Sequence, residues 1–133
     1  MNQTSSEVTV PVGLRIWFVI HFIVDIIFAV PLFIAPQAVF SLLGMPFADP
    51  ITPRLVASAF FAIGTTSLVM RNAGLESYKT MLTLKIIWSS AALVGLGWSL
   101  AQGDALAARL PLLIFSVFWC AWVYYYRQLS IKA

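Results

Sequence analysis

Four long apolar runs, separated by short polar or proline-rich stretches, set the layout of this chain. They lie at about 14–34, 54–70, 80–100 and 106–126. Each approaches the ~20 residues that a helix needs to cross the hydrocarbon of a bilayer. The pattern predicts an all-α protein, one integral membrane bundle of four transmembrane helices covering 1–133. Pro31 is expected to bend or end the first helix. Pro111 falls near the start of the fourth, where a missing N–H costs little.

The connections differ in kind. Residues 101–105 predict a tight turn, so the third and fourth helices should be antiparallel neighbours. Residues 72–78 form a short polar loop. Residues 36–53 hold Pro36, Pro46, Pro50 and Pro53 around the apolar stretch 38–43, which predicts a short amphipathic turn lying in a membrane interface. Small residues recur every four positions at Ser58, Ala62 and Thr66 and at Ala91, Gly95 and Ser99. Such ridges let helices approach closely, within one chain or between protomers.

Composition agrees with this layout. The chain is 61% hydrophobic and 10% charged, with mean hydropathy +0.92, where a soluble domain carries roughly 25% charged residues. The net charge of +3 comes from basic residues near helix ends. They form no basic patch, so nucleic acid is not an expected partner. Arg15, Arg71, Lys79, Arg127 and Lys132 fall on one side, with Lys85 just inside it, and Arg54 and Arg109 fall on the other. By the positive-inside rule both termini are cytoplasmic. Trp17 beside Arg15, and Tyr124 to Tyr126 beside Arg127, read as interfacial anchors, with Trp98 at the outer face. The first run lacks a basic leader and exceeds a signal h-region, so it is expected to stay uncleaved. On this topology the Asn2-Gln3-Thr4 sequon is a chance match. The single Cys120 excludes an internal disulfide.

The candidate chemistry lies inside the runs. His21 and Asp25 are four apart, on one face of the first helix. An ionisable group at such depth costs roughly 2.5–3.5 kcal/mol, a cost kept where it faces a protein interior or a cavity. Counted inward from the basic boundary at ~1.5 Å per residue, His21, Asp25, Lys85, Thr66, Ser89 and Ser116 all lie roughly 8–16 Å deep. Ser116, Cys120 and Tyr124 share a face. These six residues are the expected ligand-binding set, a polar layer in the cytoplasmic half of the bundle. Each also has a plain structural reading. His21 and Asp25 can be a locking pair, Lys85 can snorkel, and the hydroxyls can bond their own helix.

One His and one Asp are too few for a metal site, and no hydrolase, zinc-protease or phosphate-loop motif is present. No cofactor is read from the chain. The expected function is a non-enzymatic accessory subunit or a binder of a lipophilic ligand such as a quinone or a lipid. The alternative is a small membrane enzyme, quinone-linked redox or isomerase, using His21 and Asp25. Expected partners are the bilayer, such a ligand, and a second copy or partner membrane subunit.

The run Pro31 to Pro36, then Phe40, Leu43-Gly44-Met45-Pro46, and Arg54 opening a small-residue helix with Gly64 resembles the DoxX-like group of small bacterial membrane proteins. The resemblance implies a four-helix bundle in a bacterial inner membrane and, in some members, a link to quinone-dependent sulfur oxidation. Phe28-Ala29-Val30 differs from the Gly and Lys that relatives often carry there.

Overall fold

A computed structural model of the chain describes residues 9–103 and 108–131. Five α-helices follow in order: α1 (Val12–Ile34), α2 (Pro36–Leu42), α3 (Ile51–Val69), α4 (Leu75–Ala101) and α5 (Arg109–Ile131). A 3-10 turn, Met70–Asn72, extends α3. Four of these helices are long and apolar enough to cross a membrane, and no strand occurs among the described residues. The Asn2 triplet, Glu7, residues 104 and 105 of the turn after α4, and Lys132 lie outside the described residues.

The helices outrun several of the apolar stretches. α3 begins at Ile51, α4 at Leu75, and α5 runs on to Ile131. Hydropathy marks the apolar length, whereas helix ends are set by capping and backbone hydrogen bonds. Glu76 sits in the first turn of α4, where a negative charge complements the helix dipole. Pro31 lies within α1 and does not end it, since the Ala35 N–H reaches the Pro31 carbonyl at 2.8 Å. Pro36, which has no N–H to continue the ladder, stops the helix one residue later.

The segment 36–53 begins with the short helix α2. Gly44 ends it at φ 67°. Gly44 N–H bonds the Ser41 carbonyl at 3.1 Å and Met45 N–H the Phe40 carbonyl at 2.9 Å, the paired bonds of a Schellman end. Asp49 then starts α3, its Oδ1 accepting from Ile51 N–H at 2.8 Å and Thr52 N–H at 3.0 Å. These bonds hold its carboxyl below the ordinary 3.8. A depressed folded pKa means the cap is fully present above the unfolded value and lost as pH falls through the folded one. Amide exchange at Ile51 and Thr52 should therefore accelerate, beyond the chemical trend, as pH falls below the ordinary carboxylate range, and Asp49→Ala should show the same loss at pH 6.

α1 packs along α3, and α4 along α5. The start of α1 and the second half of α5 meet at one end of the bundle. There the Tyr125 hydroxyl lies over Gly13, and Arg15 Nη1 donates to the Arg71 carbonyl at 3.3 Å. Tyr78 donates its hydroxyl to the same carbonyl at 2.5 Å. The core sits at this Arg15 end, where Leu14, Phe18, Tyr78, Leu82, Trp122 and Leu129 are all buried. Toward the Arg54 end the two pairs share little, with Val94 and Trp98 about two-thirds exposed. The ridge Ser58, Ala62 and Thr66 faces outward, as do Ala91 and Gly95. The α3 face that packs on α1 is instead Pro53, Ala57, Gly64 and Ser67.

Candidate functional site

The buried stripe of α1 is Leu14, Phe18, His21, Asp25 and Ala29. Its spacing of three or four keeps one face inward. His21 and Asp25 therefore take core positions, 7% and 6% exposed. α4 presents Tyr78, Met81, Leu82, Lys85 and Ser89 in the same way. Lys85 is 1% exposed. It does not snorkel to the surface; its ammonium ends inside the bundle.

The three ionisable groups meet there. His21 Nδ1 lies 3.0 Å from Asp25 Oδ2 and 3.0 Å from Lys85 Nζ. Lys85 also donates to Ser67 Oγ at 2.6 Å, and the Ser67 hydroxyl donates to the Ile63 carbonyl at 2.6 Å. Rings complete the enclosure. Lys85 Nζ stands 5.0 Å from the Phe18 ring centre and 4.9 Å from that of Trp122, within the range of cation–π attraction. Phe118 and Trp122 of α5 set their rings edge to face on the His21 imidazole, at 4.7 and 5.2 Å. α1, α3 and α4 thus supply polar groups, and α5 supplies the aromatic wall.

Nδ1 cannot serve both neighbours at once. With a proton it donates to Asp25; without one it accepts from Lys85. Asp25 Oδ2 is buried with no properly directed hydrogen-bond donor, although it lies 3.0 Å from Nδ1. The arrangement drawn is therefore Lys85 donating to Nδ1, with the carboxylate held by charge alone. Among the described residues no three His, Cys, Asp or Glu side chains converge on a common point, and a lysine at the third corner repels a cation.

The structure brings together three of the six expected residues and buries a fourth, Ser89, on the same face of α4. His21 touches both Asp25 and Lys85. Ser89 lies one turn deeper, its hydroxyl donating to the Lys85 carbonyl at 2.5 Å. Thr66 is not brought in; it is exposed and donates to the Ala62 carbonyl at 2.7 Å. Ser116 is half-buried and donates to the Leu112 carbonyl at 2.8 Å. Ser67 takes the place on α3 and is absent from the expected set. Among the adjacent hydroxyls Thr65, Thr66 and Ser67, only Ser67 falls three residues after Gly64 on the packed face.

A second feature adjoins the charged centre. A lateral groove of about 490 Å³ runs between α1 and α5, lined by Trp17, Ser116, Cys120, Ala121, Tyr124 and Tyr125. Its walls are almost wholly apolar. Trp17 forms its floor and packs edge to face on Phe118 at 5.7 Å and on Trp122 at 6.2 Å. Those same rings enclose His21 and Lys85. Two layers of rings, Trp17 and then Phe118 with Trp122, therefore stand between the groove and the centre. No family model, curated protein or solved structure matches this chain.

Proposed function

We propose that the chain is a small polytopic protein of a bacterial inner membrane that binds a quinone-class lipophilic molecule without transforming it. Both termini are cytoplasmic in this reading, so the Arg15 end is the inner one. The observation that carries it is the groove beside the charged centre. The groove is open along its outer side, so a lipophilic molecule can reach it from the bilayer. Trp17, Tyr124 and Tyr125 offer flat faces to a ring headgroup, and the two tyrosines offer hydroxyls to its carbonyl oxygens. The DoxX-like resemblance points to the same ligand class. The enzyme alternative has less support, because His21 and Asp25 are walled off by Phe118 and Trp122. An accessory-subunit role draws on a separate observation, the outward small-residue ridge Ser58, Ala62 and Thr66, which suits contact with another membrane helix.

Cys120 is the single cysteine, is exposed, and lines the groove. A membrane-permeant maleimide should label it in vesicles, and a short-chain ubiquinone analogue should slow that labelling severalfold. Ala121→Trp, which fills the groove, should abolish the protection. An unchanged labelling rate at saturating quinone would remove the groove as a quinone site and leave the accessory reading.

A further inference from the structure

At the end opposite the charged centre, α1, α2 and the start of α3 border an open cleft of about 670 Å³. Arg54 stands on one side, Gln37 and Ser41 on another, and Ile34, Phe47 and Pro50 give it apolar walls. The arginine is fixed in place. Because α1 stops at Ile34, the Phe33 carbonyl has no helical partner, and Arg54 Nε donates to it at 3.1 Å. One edge of the guanidinium caps the helix, and its two terminal nitrogens have no protein acceptor among the described residues. The carboxylate nearest in sequence, Asp49, is committed to the N–H groups of Ile51 and Thr52. Gln37 and Ser41 make no side-chain hydrogen bond among the described residues. Among the described residues the cleft thus combines a guanidinium with no carboxylate partner, two polar side chains without hydrogen bonds and an apolar wall. Edge-to-face packing of Phe40 on Phe47 at 5.7 Å holds the loop over α2.

We propose that this cleft binds the phosphate of an anionic phospholipid headgroup in the outer leaflet, with the guanidinium donating through its terminal nitrogens and Gln37 and Ser41 completing the shell. A planar fork with two free donors matches a phosphate oxygen pair. The Ile34 and Phe47 walls take the glycerol end of the chains. The proposal rests on the membrane reading above and is independent of the α1–α5 groove.

The test is native mass spectrometry of the detergent-solubilised full chain with added phosphatidylglycerol, diacylglycerol or inorganic phosphate. Wild type should retain phosphatidylglycerol and not diacylglycerol. Arg54→Gln should lower retention by about tenfold, the scale of one charge-assisted pair, and Arg54→Lys should recover only part. Gln37→Glu leaves the helix cap intact and should lower retention as much, which keeps the test valid if Arg54→Gln folds poorly. Excess inorganic phosphate that displaces no lipid assigns the site to the headgroup as part of a lipid. Displacement by phosphate alone would overturn the lipid assignment. Arg109→Gln, the other cation of this end, should leave retention unchanged; an equal loss there would reduce Arg54 to unspecific surface charge and overturn the proposal. Reporter fusions at Thr52 and at the C-terminus check the membrane reading separately, since opposite sides are expected whatever the lipid result.

Discussion

Lys85→Met should lower the stability of the solubilised bundle by about 3–5 kcal/mol, the usual loss when one member of a buried charged set is removed. The side chain is 1% exposed, so water cannot replace its contacts with His21 and Ser67. Asp25 would remain as a buried carboxylate without a cation. Asp25→Asn should cost a similar amount for the converse reason. Combined, the two changes should cost clearly less than their sum, because neither residual charge is left alone. His21 lies between them, within 3.0 Å of both, and the coupling should shrink when the cycle is repeated on His21→Leu. The readout is a denaturation midpoint in one detergent. Strict additivity would mean that Asp25 and Lys85 do not interact.

That centre was largely legible in the chain. His21 and Asp25 share a turn, and their register matches Leu14, Phe18 and Ala29, so periodicity alone turns them inward. Depth counted from Lys79 set Lys85 level with them. What periodicity could not supply was the choice of neighbours. Nothing in the spacing says that α1 runs along α3, or that α5 brings Phe118 and Trp122 to the imidazole. In an apolar run every aromatic reads as a lipid-facing residue until its partner helix is known. The same gap explains the small-residue ridges. Ser58, Ala62 and Thr66 have the right spacing for a contact, yet α1 packs on the neighbouring face through Ala57, Gly64 and Ser67. A four-residue spacing identifies a usable ridge and leaves open which of several ridges is used. Ser67 was missed for this reason, although Gly64 marked its face.

Gly64 is the position where the smallest substitution should do the most harm. A Cβ built there would lie 2.8 Å from the Asp25 Cβ and 3.0 Å from its Oδ2. The obstacle is the Cβ itself, which moves only if the α1 backbone moves. α1 and α3 therefore approach each other at a point where only a hydrogen fits. Gly64→Ala must separate the two helices or tilt one of them. Overpacking of this kind costs about 1–3 kcal/mol, and here a shift of α3 also carries Ser67 away from Lys85. The loss should sit at the upper end of that range, despite the ~1 kcal/mol gain in helix propensity on leaving glycine. Gly64→Leu should give no folded bundle. Gly95 is the internal control, since a Cβ there meets nothing within 4 Å, and Gly95→Ala should be neutral or slightly stabilising. Melting both alanine variants in one detergent separates propensity from packing. If Gly64→Ala melted with or above wild type, the close α1–α3 contact, and the seating of Asp25 that depends on it, would not exist in the folded protein.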